Sequence, residues 1–166
     1  MISLDFYNKT TTKLGQNIFN KLLDSAHKEL VADGRLSKKE DWLVELSLVG
    51  TKAITQLNTQ YHNKTRPTDV VSVSYFQDMF ENGSTENDFS TSKNGEFGSV
   101  PSPLAGEIFI SLPYARVQAK QIGQSLNDEL QFLFVHGLLH VFGYDHMKPT
   151  DESHMLRLTY KILGRK

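Results

Sequence analysis

Four short segments of the chain have strand character: the first two alternate apolar and polar residues, and the last two are rich in β-branched and aromatic residues. In the first segment Ile2, Leu4 and Phe6 alternate with Ser3 and Asp5. The β-branched residues of the third segment follow a proline, which also favours an extended backbone. The predicted strands cover residues 2–7, 42–49, 68–75 and 107–112.

Apolar residues recur three or four positions apart in the segments between and after these strands, which predicts amphipathic helices. Gly123 and Gly143 follow two of these segments and are typical of helix ends. The predicted helices cover residues 14–31, 52–61, 113–122, 128–142 and 150–163. We therefore expect an α+β fold: one compact domain over residues 1–166, with a mixed sheet of four strands and about five helices.

Residues 77–103 interrupt this pattern with a stretch rich in Asn, Ser, Gly and acidic residues. The stretch contains Asp and Glu at positions 78, 81, 86, 88 and 96, against Lys93 as its only cation. A segment of this composition buries little apolar surface. We predict a flexible acidic insertion within the domain rather than a linker between two domains.

The composition excludes several classes of protein. The 166 residues carry a net charge of −1, which argues against a nucleic-acid binder that works through overall charge alone. The chain has no cysteine, so any metal must be bound by histidines and carboxylates. No apolar run approaches the roughly 18 residues of a membrane span, and no signal peptide is visible at the N-terminus. We expect a cytoplasmic protein that makes no contact with a membrane.

Four of the six histidines fall between positions 136 and 154. His136 and His140 are four residues apart on a predicted helix, so both side chains lie on one face. Gly143 allows a sharp turn, after which His146 can return to the same point. Three protein ligands with one open position are typical of catalytic zinc. The alternative is two partly buried helical histidines and a third in an exposed loop. We predict one zinc ion bound by His136, His140 and His146.

The spacing H-x-x-x-H-x-x-G-x-x-H is that of metzincin proteases, in which the residue after the first histidine is a glutamate that acts as the base. Here that residue is Gly137. Zinc lowers the pKa of a bound water to about 7, so hydrolysis remains available without this glutamate. A metallopeptidase is therefore an alternative that lacks its usual base.

The segments HGLLH at 136–140 and GYDH at 143–146 closely resemble the signature of the YbeY family of bacterial endoribonucleases. The likeness extends to Leu57-Asn58, to RPTDVVS at 66–72 and to AGEIFI at 105–110. The resemblance implies a zincin-like domain with a histidine-bearing helix and one zinc ion. It also implies a single-strand-specific endoribonuclease that acts in maturation of the 3′ end of small-subunit rRNA and in ribosome quality control. Its partners would be ribosomal RNA and the ribosome. A ribosome-associated factor with a structural zinc is a further alternative.

The chain departs from the family pattern at His62, where the family usually has an arginine. We take His62 and Arg66 as catalytic candidates, with Lys64 beside them as a further cation for phosphate. The alternative for each is an ordinary solvated turn after a helix. Asp145 is predicted either to accept a hydrogen bond from a ligand histidine or to cap the turn.

Two further expectations concern the C-terminal part of the chain. Five cations against two acids from Lys148 onward suggest a basic surface suited to RNA, or an ordinary charged helix face. His154 is expected to lie on the surface, far from the turn at Gly143. The sequence predicts no oligomeric state.

Overall fold

The computed structural model describes residues 1–76, 102–145 and 149–165, and for Pro149 the backbone alone. Their elements, in chain order, are β1 (Ile2–Asn8), α1 (Asn17–Ala32), β2 (Trp42–Val49), α2 (Thr51–His62), β3 (Val70–Ser74), β4 (Leu104–Ser111), α3 (Leu112–Ile122), α4 (Leu126–Val141) and α5 (Pro149–Leu163). The predicted α+β class with four strands and five helices is confirmed over these residues. The predicted insertion at 77–103 lies outside the described residues except for Ser102 and Pro103.

The four strands form one mixed sheet in the order β1-β2-β4-β3. β1 pairs with β2 and β2 with β4 in parallel, whereas β3 pairs antiparallel with β4. β4 begins three residues earlier than predicted because Leu104 pairs with Leu43 of β2. The segment 102–106 is short and rich in small residues, so its sequence does not predict this pairing.

Both faces of the sheet contribute buried side chains. Alternating residues such as Leu46, Leu48 and Ile108 join the main core with α1, α4 and α5, and all three are fully buried. Val71 and Phe109 point to the other face, where they pack with Ile54 of α2. The period-two pattern of the strands thus divides the side chains between a large core and a smaller one.

α4 is largely enclosed, since nine of its 16 residues are buried. It begins at Ser125, whose Oγ accepts a hydrogen bond from the Asp128 backbone N–H at 3.1 Å. The helix ends at Val141, and Gly143 then adopts the positive φ of 80° that the sequence predicts. α4 therefore places His136 and His140 on a rigid element beside β3. No helix in the described parts of the chain is long and apolar enough to span a membrane.

Candidate active site

His136 and His140 meet on the face of α4 that lies beside a cavity. Their Nε2 atoms are 3.3 Å apart and their ring planes cross at 85°. Two nitrogens at 2.0–2.1 Å from one tetrahedral ion would be about 3.3–3.4 Å apart. The pair therefore fits two positions of a zinc site.

The surroundings of each ring fix its orientation. His140 Nδ1 lies 2.9 Å from the backbone oxygen of Tyr144, which can only accept, so Nδ1 carries the proton. The other nitrogen, Nε2, then has a lone pair directed toward His136. The His136 ring stacks on Phe132 with an angle of 13° between the planes. Such support of the ligand rings is what metal sites require.

The turn after α4 holds that carbonyl in place. The backbone N–H of Gly143 donates to His140 O and that of Tyr144 to Leu139 O, both at 3.0 Å. His146, the predicted third ligand, lies outside the described residues. Within them, no group of three or more possible metal ligands converges. The zinc site therefore stays a prediction, with two of its three ligands in suitable geometry.

A cavity of about 550 Å³ opens beside the two histidines. One wall comes from α4 and the turn after it, and the other from the end of α2, the loop 63–69 and β3. The lining residues are Asn58, His62, Lys64, Arg66, Thr68, Val70, Ser72, Ser74, His136, His140, Gly143, Tyr144 and Asp145. The structure thus brings the catalytic candidates His62 and Arg66, with Lys64, to the same cavity as the histidine pair. Asp145 also lines it and is exposed, which does not decide between its two predicted roles.

Asn58 fixes the loop that carries the two cations. Its buried amide donates to the backbone oxygen of Arg66 at 2.8 Å, and its own backbone oxygen accepts from Lys64 N–H at 3.2 Å. Asn63, with a φ of 55°, turns the chain out of α2. Asn58 belongs to the Leu57-Asn58 segment of the family resemblance, but the sequence alone predicts no role for it. Its signal is a polar residue on the otherwise apolar face of a helix.

Tyr144 links the turn to the rest of the molecule. Its hydroxyl donates to Asp33 Oδ2 at 2.6 Å, the Arg35 guanidinium lies 4.8 Å from its ring centre, and the His154 ring stacks with it at 5.9 Å. His154 Nε2 is itself 3.1 Å from Asp33 Oδ2. The expectation that His154 lies far from the turn is therefore wrong, although its side chain remains at the surface and is 34% exposed. His154 and Asp33 are 121 positions apart, so no local sequence pattern predicts their contact.

Gly137 lies on the sheet side of α4. A Cβ at this position would lie 2.9 Å from Ile108 Cγ2 and 3.4 Å from Val70 Cγ2, so a side chain here would force the helix or the sheet to shift. The glutamate that serves metzincins as a base would meet the same obstruction. The local geometry thus removes the feature on which a peptidase of that type depends.

Comparison with known proteins agrees with this geometry. A family model described as Endoribonuclease YbeY matches residues 5–166. The chain belongs to the YbeY endoribonuclease family. It is 38% identical over 125 residues to the Endoribonuclease YbeY of Streptococcus pneumoniae strain CGSP14, covering 75% of this chain and 76% of that protein. It is 39% identical over 150 residues to the Endoribonuclease YbeY of Listeria welshimeri, covering 87% and 88% of the two chains.

A solved structure supports the fold. The solution structure of TM1509 from Thermotoga maritima matches with a TM-score of 0.52 and covers 99% of this chain and 90% of that one. Its sequence identity is 21%, so the likeness concerns the fold alone. The sequence resemblance to the YbeY family and the predicted fold class are both confirmed.

Proposed function

We propose that the protein is a metal-dependent endoribonuclease that cuts single-stranded RNA in the cavity beside His136 and His140. The observation that carries this proposal is the pair of Nε2 atoms 3.3 Å apart, facing a cavity that also contains Lys64 and Arg66. A metal-ligand pair beside two cations suits a phosphodiester substrate. Membership of the YbeY family supports an RNA substrate.

In this proposal one zinc ion is held by His136, His140 and His146. When bound, it would polarise a phosphoryl oxygen or ionise a water. The backbone oxygen of Tyr144 keeps the His140 proton on Nδ1, so that Nε2 is available as a ligand. Lys64 and Arg66 bind the phosphate and stabilise the charge that develops on its oxygens. His62 stands where the family usually has an arginine and supplies a further hydrogen-bond donor.

The biological substrate is proposed from the resemblance to the YbeY family. We propose that the protein acts in the cytoplasm on ribosomal RNA, in maturation of the 3′ end of the small-subunit rRNA and in ribosome quality control. The metallopeptidase alternative loses support because Gly137 faces β4, where the side chain of a base would be obstructed. A ribosome-associated factor with a structural zinc would have the same histidines but no cleavage activity.

The test compares single-stranded RNA, duplex RNA and casein as substrates for the purified full chain. We expect cleavage of single-stranded RNA that His140→Ala and a chelator both abolish, together with loss of bound zinc in His140→Ala. His27→Ala is the matched control, because His27 lies on α1 and does not line the cavity. Casein cleavage without RNA cleavage would contradict the proposal. Binding to ribosomes with no cleavage of either substrate would favour the structural-zinc alternative.

Separate variants assign the catalytic candidates. Arg66→Ala and Lys64→Ala should raise KM if these cations bind the phosphate in the ground state. A loss confined to kcat would place the cation on the charge that develops during the reaction. His62→Arg restores the residue usual in the family and should raise activity if position 62 contacts the phosphate.

A further inference from the structure

One edge of the sheet gathers the loops that carry cations. β1, β2 and β4 run parallel, so their carboxyl ends meet at the same edge. β3 is antiparallel to β4, and Val70 at its start pairs with Ile110 near the end of β4. The loop 9–16 after β1, the loop 63–69 before β3 and the start of α3 therefore all lie at this edge.

These segments are strongly unbalanced in charge. The loop 9–16 and α3 contain four exposed cations away from the cavity, which we call the basic strip: Lys9, Lys13, Arg116 and, in the last turn of α3, Lys120. Asp69 is the one acidic residue of residues 9–16, 63–69 and 111–122 together. Its carboxylate already accepts hydrogen bonds from Thr68, from the Val70 backbone N–H and from Gln118.

The cations of the strip are not neutralised by ion pairs with other described residues. The C-terminal helix differs in this respect. Lys161 lies 3.4 Å from Glu29, and Arg165 lies 2.6 Å from Asp128. Arg157 lies 2.8 Å from the His154 ring. The basic surface predicted for the C-terminal segment is therefore largely engaged within the protein, whereas the strip presents its charge to solvent.

Hydrogen bonds between side chains connect the strip with the loop that borders the cavity. In the loop after β1, Thr12 accepts a hydrogen bond from Arg116 at 2.8 Å. Two residues along α3, Gln118 donates to Asp69 at 3.1 Å. Asp69 ends the loop whose Arg66 lines the cavity. Gln118 and Arg116 project from opposite sides of α3, so an RNA strand leaving the cavity at Arg66 would cross this helix to reach the loop after β1.

Two exposed tyrosines precede cations of the strip by two positions in the sequence. Tyr7 and Tyr114 are 44% and 40% exposed, and Lys9 Nζ lies 6.0 Å from the centre of the Tyr7 ring. Exposed rings between cations are typical of surfaces that bind single-stranded nucleic acid, since bases stack on the rings while phosphates contact the charges. Unpaired bases are a property of single strands, which the proposed function already requires.

We propose that the basic strip binds the single-stranded RNA that flanks the segment in the cavity. The inference rests on the proposed function and extends it from a cleavage site to a path for the substrate. The strip would make affinity depend on RNA length, because a short oligonucleotide in the cavity does not reach α3. It would also add phosphate contacts that are sensitive to salt.

The test measures kcat/KM for two single-stranded RNAs, of about 16 and about four nucleotides, which span the usual site sizes of single-strand binding folds. The strip variant is Lys9→Ala/Lys13→Ala/Arg116→Ala. The matched control, Lys28→Ala/Lys38→Ala/Lys39→Ala, removes the same charge from α1 and from the loop before β2. Melting temperatures of both variants check that folding is intact.

Counterion release changes the logarithmic salt slope by about 0.7 per phosphate contact on a single strand. Loss of three contacts should therefore lower the slope by about 2 and, at about 0.1 M salt, reduce kcat/KM for the long RNA by up to the order of 100-fold. The short RNA should change less than about twofold, and the control variant should resemble the wild type with both substrates.

An equal loss of kcat/KM with the short and long RNAs, or an equal loss in the control variant, would overturn the proposal that the strip binds RNA. If the wild type cuts neither RNA, the proposed function fails instead. Fluorescence anisotropy with the same long RNA then tests RNA binding by the strip independently of cleavage. An unchanged affinity and salt slope in the strip variant would reject the proposal, and a lower slope would support it.

Discussion

Gly137 offers a sharp test of how closely α4 packs on the sheet. An alanine Cβ at this position would lie 2.9 Å from Ile108 Cγ2, closer than carbon atoms normally approach. Ile108 is fully buried and β-branched, so its methyl group has little freedom to move away. Gly137→Ala should therefore force a shift of the helix or of the strand.

The magnitude follows from two opposed terms. Overpacking a core costs about 1–3 kcal/mol. Alanine in place of glycine within a helix stabilises by about 0.5–1 kcal/mol. Gly137→Ala should therefore lower the free energy of unfolding by up to about 2 kcal/mol. In an Ile108→Ala background the obstructing methyl is gone, so the same substitution should stabilise by about 0.5–1 kcal/mol.

Urea denaturation of the four proteins in this double-mutant cycle measures the coupling, which should be about 1–3 kcal/mol. The control background is Ile108→Val, because valine keeps a Cγ2 at the same place and should preserve the full cost. If Gly137→Ala costs the same in the alanine and valine backgrounds, the contact does not explain the glycine. Gly137→Glu should be more destabilising still and should create no peptidase activity, since it would bury a charge against β4.

Three further predictions concern polar contacts. Burial raises the pKa of Asp33, but hydrogen bonds from Tyr144 and His154 outweigh burial and hold the pKa below its ordinary value. The stability that this carboxylate contributes is therefore present above about pH 4 and is lost as pH falls through the folded pKa. Tyr144→Phe should thus lower the free energy of unfolding at pH 7 by about 1.5–3 kcal/mol. Urea denaturation should also show that the variant loses less stability than the wild type between pH 5 and pH 2. An unchanged pH dependence would contradict the hydrogen bond from Tyr144 to Asp33. Burial raises the pKa of Glu129, so the wild type should lose stability as pH rises through that pKa. The free energy of unfolding of Glu129→Gln should therefore rise relative to that of the wild type between about pH 4 and pH 7 in the same titrations. A difference between the two proteins that does not change with pH would refute this. Asn58→Asp replaces the donor to the Arg66 backbone oxygen with a charged acceptor and should raise KM for RNA without loss of bound zinc, which metal analysis with steady-state kinetics would check.

The periodicity of apolar residues along the chain predicted most of the secondary structure. β2 was predicted at its observed limits, because Trp42, Val44 and Leu46 alternate without interruption. The other elements shift by a few residues at their ends, where pairing and capping decide the boundary. Leu104 joins β4 through its partner Leu43, and nothing in its immediate neighbours marks it as a strand residue.

The candidate site divides in the same way. The sequence by itself determined that His136 and His140 share a helix face and that Gly143 turns the chain, because these depend on spacing over a few residues and on the conformational freedom of glycine. Only the tertiary structure decided that His62 and Arg66 reach the same cavity, since this depends on β3 pairing antiparallel beside α4.

The support of the site was likewise invisible in the sequence. Asp33 and Tyr144 are 111 positions apart, and Gly137 owes its identity to a methyl group on another element. Local patterns record the period of the backbone and the polarity of each face. Which faces meet, and how closely, is set by packing across the whole core, and this is why the partners of Tyr144 and the reason for Gly137 appear only in the folded molecule.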